Sequence, residues 1–176
     1  RRKELLSGLG ICYEVKTLPG IEESYPDTLS EEEIPVFIAR EKADAYRQTM
    51  HSDELIITAD TIVWLDGLVM GKPADEEDAK RMLRCLSGKT HQVITGVCLT
   101  TTEFQKSFAT VTDVTFAELT EEEIDYYVQK YKPMDKAGSY GIQEWIGFVG
   151  VEGITGSYFN VMGLPIQRLY KELKKL

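Results

Sequence analysis

Apolar positions recur along the chain at two periods, and the helical one is the clearer. Leu5, Leu6 and Leu9 share one side of a segment running from Arg1 to Gly10, where glycine suits a left-handed helix end. Ser30 and Glu33 have the spacing of a capping box and Pro35 suits a first turn, so a helix is predicted from there to about Thr49, with Ile38, Lys42 and Tyr46 on one stripe. Asp75 is placed to cap the next helix. Its Ala79, Met82, Leu83 and Leu86 form a single apolar face, and Gly88 follows its end. Thr120 and Glu123 repeat the capping spacing ahead of Ile124, Tyr127, Val128 and Tyr131, until Pro133 closes the segment. A last helix is predicted near Pro165, with Ile166, Leu169, Tyr170 and Leu173 as its face and lysines in the final turn.

Strand signals lie between these helices. Ile11 to Lys16 alternates, and Leu55 to Leu65 is a β-branched apolar run that Asp66-Gly67 turns into Leu68-Val69-Met70. His91 to Thr101 and Phe104 to Leu119 read as a long hairpin across a short polar link. Ile146 to Val151 is predicted as a further strand, set among Gly147, Gly150, Gly153 and Gly156. Helices and strands interleave and hairpins occur among them, which gives an α/β class with a mixed sheet. The 176 residues fit one domain, with room for two lobes.

Composition narrows the function. The chain carries 20 Lys+Arg against 29 Asp+Glu, a formal charge of −9, which argues against a generic nucleic-acid binder. Hydrophobic residues at 43% suffice for a core, while the longest apolar runs are broken by charges or glycines and fall short of the ~20 residues of a membrane span. Cys12, Cys85 and Cys98 are an odd, dispersed set without metal spacing, which fits a reducing cytoplasm. With only His51 and His91 present, hydrolytic chemistry would rest on carboxylates and lysines. The chain opens at Arg1-Arg2-Lys3 without methionine, which we read as a truncation point.

Six places resist a purely structural explanation. Asp60 sits between Leu55-Ile56-Ile57-Thr58-Ala59 and Ile62-Val63-Trp64-Leu65; it either bonds neighbouring backbone amides or serves catalysis or metal binding. Lys42, on an apolar stripe, either snorkels along it or points into a pocket. Gly71-Lys72-Pro73 offers one cation on a rigid turn and suits phosphate, or is only a turn. Ser87-Gly88-Lys89-Thr90 resembles the end of a Walker loop but has Leu83 where that loop needs glycine, leaving Lys89 open to a ligand. Asp135 to Gln143 mixes charge, glycine and an amide in a loop, and Gln143 can donate and accept at once, as the imide edge of uracil or thymine requires. Ser157 and Asn160 precede Pro165 and either satisfy a helix end or line a pocket beside Asp60.

Taken in order, these segments resemble the Maf family of nucleoside triphosphate pyrophosphatases, also described as septum-formation-inhibitor homologues. The matching pieces are Arg1-Arg2-x-Glu4-Leu5-Leu6, Gly20-Ile21-Glu22-Glu23, Ala39-x-x-Lys42-Ala43, Ala59-Asp60-Thr61-Ile62-Val63, Gly71-Lys72-Pro73, Ser87 to Val97, Asp135 to Gln143 and Ser157 to Pro165. The resemblance implies a fold like that of inosine triphosphate pyrophosphatases, an elongated mixed sheet flanked by helices with two lobes around a nucleotide cleft. It implies a divalent metal, magnesium or manganese, and a homodimer. By the same resemblance Asp60 is the base, and Arg2, Thr61 and Gln143 govern substrate choice. The Gly138-Ser139-Tyr140-Gly141-Ile142-Gln143 version is similar to the branch acting on dTTP and UTP.

The expected arrangement puts Arg1, Arg2, Lys42 and Lys72 around the phosphates, with Lys89, Ser157 and Asn160 as further substrate contacts. Glu23, Asp60 and Asp135 are the expected metal ligands. The family's usual apolar strand and Ser-x-Ser-Pro loop before the arginine pair do not appear here. A nucleotide-binding regulator of septum formation that does not hydrolyse its ligand is the alternative, and a plain interaction scaffold a more distant one.

Overall fold

The computed structural model describes residues 1–21 and 23–176; Glu22 of the matching acidic segment lies outside the described residues. Helices α1 (Arg2–Ser7) and α2 (Glu33–Arg47) precede strands β1 (Ile56–Leu65) and β2 (Leu68–Met70). Helix α3 (Glu76–Leu86) leads to β3 (Thr90–Thr100) and β4 (Gln105–Phe116), followed by α4 (Glu121–Tyr131). Then come α5 (Trp145–Gly150), β5 (Val151–Thr155), α6 (Tyr158–Met162) and α7 (Ile166–Leu173). The strands form one five-stranded sheet of order β2-β1-β3-β4-β5, and register makes β1/β2 and β4/β5 antiparallel. The α/β class is as the sequence predicts. The chain divides into two compact units, the first of residues 1–61, 94–110 and 163–176, the second of residues 62–93 and 111–162.

In the first unit the core gathers Ala59, Val97, Leu99, Phe108, Leu164 and Leu169, with Leu5 and Leu6 of α1 packed against it. Helix α2 is seated by Gly96 of β3. A Cβ there would lie 2.4 Å from the Pro35 carbonyl carbon and the Val36 nitrogen, so only glycine lets the first turn of α2 rest on the strand. The Thr58 hydroxyl donates to the Ala39 carbonyl at 2.7 Å and fixes the same helix against β1. On α7, Glu172 is buried and paired with Lys106 at 2.5 Å, Arg168 at 3.2 Å and Lys175 at 3.3 Å. Hydrogen bonds from these cations, that of Lys106 foremost, hold its carboxyl down to about 2.

In the second unit Val63, Leu65, Leu83, Leu86, Phe116 and Tyr127 are among the core residues. Asp66 and Gly67, at φ of 50° and 82°, make the predicted tight turn. Asp75 accepts from the Asp78 amide at 2.8 Å, and Thr120 and Glu123 form a reciprocal capping box, so α3 and α4 begin where the sequence places them. His91 is buried against Tyr140 and Phe116, and burial lowers its pKa to about 4, so the ring is neutral near pH 7.

Several local expectations are corrected. Residues 11–16 form no strand: among the described residues no neighbour takes their ladder hydrogen bonds, and Ile11, Tyr13 and Val15 stay exposed. Residues 146–150 belong to α5 rather than to a strand. Ile146 and Gly150 are buried four positions apart while Phe148 is 82% exposed, a helical period, and the Gly147 amide donates to the Glu144 carbonyl at 2.9 Å. The Ser30 hydroxyl donates to the Glu33 side chain, yet the α2 N-cap is Glu32 without a side-chain cap, so the capping box is not made. On α7 the buried partner of Leu169 is Glu172, whereas Tyr170 is exposed. Its cation partners make that burial possible, a feature periodicity does not carry.

Candidate active site

Strand β1 buries residues on both of its faces, Ala59, Asp60 and Ile62 among them, and the Asp60 side chain is 12% exposed. An isolated carboxylate there would be costly. It is not isolated: Lys42 Nζ lies 3.5 Å from Asp60 Oδ1, 3.0 Å from Glu23 Oε1 and 3.2 Å from the Ala59 carbonyl oxygen, to which it donates. Helix α2 rests on β3 at Gly96, and the Lys42 ammonium on it faces the two carboxylates. Burial raises the Asp60 pKa above the ordinary 3.8, Lys42 pulls it back down, Glu23 adds to the rise and Arg2 opposes it.

Arg2 closes the cluster from α1. Its Nε donates to the Gly163 carbonyl at 2.7 Å and its Nη2 to Thr61 Oγ1 at 3.0 Å. Thr61 Oγ1 lies 2.8 Å from Thr95 Oγ1, so a buried threonine on β3 backs the hydroxyl that receives Arg2. Loss of hydration lowers the Arg2 pKa, an effect that Asp60 opposes, and the guanidinium remains charged near neutral pH. Arg2, Glu23, Lys42, Asp60 and Thr61 therefore meet within the first unit, to which Arg1 also belongs. Thr95 falls in the matching segment Ser87 to Val97, but the sequence gives its hydroxyl no role, since it is one β-branched residue among several there.

The remaining predicted residues belong to the second unit. Lys72 and Lys89 are exposed. Asp135, exposed, pairs with Lys136 at 3.1 Å. Ser157 Oγ accepts from the Asn160 amide at 3.1 Å, and the buried Asn160 side chain donates to the Val93 carbonyl and to Thr112 Oγ1 at 3.1 and 3.0 Å. Ser157 thus caps the start of α6 and Asn160 ties that helix to β3 and β4, rather than either capping the helix that begins after Pro165. Gln143 is half-buried, and its Oε1 is buried without a hydrogen-bond partner among the described residues.

Among the described residues no group of three or more His, Cys, Asp or Glu side chains assembles as a metal cage. The donors that do converge are oxygens of Glu23 and Asp60, which meet at one ammonium. Carboxylate oxygens are the ligand type that hard cations such as magnesium take. No described helix is long and apolar enough to cross a membrane.

Fold and site define an α/β protein whose buried carboxylate stands among a lysine, an arginine and a second acid, a centre of the kind phosphoanhydride chemistry uses. The sequence profile described as Maf-like protein matches residues 1–176, and the chain belongs to the Maf family. It is similar to a dTTP/UTP pyrophosphatase of Phocaeicola vulgatus, 80% identical over 176 residues that make up all of this chain and 91% of that protein. A dTTP/UTP pyrophosphatase of Bacteroides fragilis is 71% identical over the same shares, and one of Porphyromonas gingivalis is 56% identical over 99% of this chain and 88% of its own length.

Proposed function

We propose that this chain is a nucleoside triphosphate pyrophosphatase that hydrolyses dTTP and UTP to the monophosphate and pyrophosphate. The observation that carries the reading is Asp60, a nearly buried carboxylate held 3.5 Å from Lys42 and flanked by Arg2 and Glu23. The printed activity of the relatives, dTTP/UTP pyrophosphatase, supports it at up to 80% identity.

In this reading the cations Arg1, Arg2 and Lys42 hold the triphosphate. Asp60, in its ionised form and oriented by Lys42, takes a proton from water as the oxygen attacks the α-phosphorus. The bond from the α-phosphorus to its bridging oxygen breaks, and pyrophosphate leaves with that oxygen. General-base catalysis of this kind contributes about 10²–10⁴ in rate. A divalent metal, magnesium or manganese, fits the oxygens of Glu23 and Asp60, and when bound it would neutralise phosphate charge and polarise the P–O bond.

Lys72, Lys89, Thr61, Gln143, Ser157 and Asn160 as substrate residues, and Asp135 as a third metal ligand, rest on the family resemblance. A homodimer in the cytoplasm belongs to the same proposal. Incubation with dTTP, UTP, GTP and 7-methyl-GTP is expected to release pyrophosphate fastest from the first two, as measured by product identification. Release of orthophosphate instead would discard the mechanism, and binding of dTTP without turnover would favour the regulator.

A further inference from the structure

The loop from Gly138 to Glu144 is held more firmly than packing alone demands, and its fastenings bracket Gln143. The Gly138 amide donates to the Gly71 carbonyl at 3.1 Å, and Gly138 turns at φ 69° against Val63, where a Cβ would come within 2.8 Å. Tyr140 Oη and His91 Nε2 are 2.6 Å apart, both side chains buried. Beyond these, the hydroxyl of Tyr127 on α4, fully buried, accepts from the Gly141 amide at 3.0 Å and donates to Glu144 Oε1 at 2.6 Å. One oxygen atom thus grips the loop on both sides of Ile142-Gln143. The Tyr127 ring belongs to the core and stacks on Tyr131 of the same helix, while its hydroxyl makes these two bonds.

We propose that Tyr127, through this two-sided bond to Gly141 and Glu144, is a positioning residue that fixes the amide of Gln143 for recognition of an imide-bearing pyrimidine. The inference rests on the triphosphate pyrophosphatase reading and deepens it. Gln143 Oε1, buried with no partner among the described residues, is an acceptor that a ligand donor would satisfy. The N3–H of uracil or thymine is such a donor, whereas cytosine presents a lone pair at N3. An amide free to turn end for end would serve both bases, because it can donate as well as accept. Discrimination between UTP and CTP therefore requires the amide to be held, and Tyr127 holds the backbone on either side of it.

The experiment compares kcat/KM for UTP and CTP with the inhibition constant of inorganic tripolyphosphate, which has no base. In Tyr127→Phe the UTP/CTP ratio is expected to narrow about tenfold, the scale of one hydrogen bond to a charged group. Tripolyphosphate inhibition should stay within about twofold, because it engages none of the bonds removed. Glu144→Ala, which leaves Tyr127 and its bond to Gly141 in place, should narrow the ratio in the same direction, and Glu144→Gln, which still accepts from the hydroxyl, should restore it. Tyr127→Phe and Glu144→Ala proteins that keep the wild-type ratio, or that lose UTP and tripolyphosphate in step, would overturn the proposal and leave the clamp a packing feature. If the wild type binds UTP without hydrolysing it, the same ratios are read from dissociation constants. A wild type that neither binds nor hydrolyses UTP removes the underlying reading and this one with it.

Discussion

Asp60→Asn is expected to lower kcat for dTTP by about 10²–10⁴, the range associated with loss of a general base. Affinity for dTTP should persist or tighten, since the substitution removes a negative charge from the neighbourhood of Arg2 and Lys42 that would face a polyanion. Steady-state kinetics and equilibrium binding on the same preparation separate the two effects. The fold should survive, because Lys42 keeps its pairing with Glu23 at 3.0 Å and the asparagine amide is close in size to the carboxylate. Full turnover by this variant would remove Asp60 from the chemistry, and an unchanged biological effect without turnover would instead favour a nucleotide sensor.

Lys42→Met should move the pH dependence rather than only its height. As the proposed base, Asp60 is required deprotonated, so activity is expected to fall as pH drops through its pKa. Burial raises that pKa above the ordinary 3.8 and Lys42 opposes the rise, so the wild-type acid limb lies above the usual carboxylate range and the variant's lies higher still. Loss of an opposite charge at this distance shifts a carboxylate by about one unit or more. A kcat/KM profile from acid to neutral pH is therefore expected to show the variant's limb displaced to higher pH, with the largest deficit below neutrality. A limb that stays in place would mean that Lys42 serves only the phosphates.

Legibility in the sequence followed the locality of the physics. Helices α3 and α4 were readable because Asp75 with Asp78, and Thr120 with Glu123, act within one turn, and because their apolar stripes face one core. Asp60 was conspicuous for the same reason: a carboxylate inside an apolar run signals itself without any knowledge of the fold. Lys42 carried two local explanations, and where its ammonium lies depends on Gly96, more than fifty residues away, which admits the α2 backbone. The alternation at 11–16 promised a strand and delivered none, since a strand exists only with a neighbour to share its ladder. Residues 146–150 hid a helix behind an apolar run too short for either period to dominate. Thr95 and Tyr127 read as filler because their hydroxyl partners, Thr61 in one case and Gly141 with Glu144 in the other, are set by tertiary contacts.

The account turns on water, activated at Asp60, attacking the α-phosphorus of a pyrimidine nucleoside triphosphate. Single-turnover hydrolysis of dTTP in water enriched in oxygen-18, with mass analysis of both products, tests this directly. The label is predicted in the thymidine monophosphate, with the pyrophosphate unlabelled. Label in the pyrophosphate, or release of labelled orthophosphate, would contradict it.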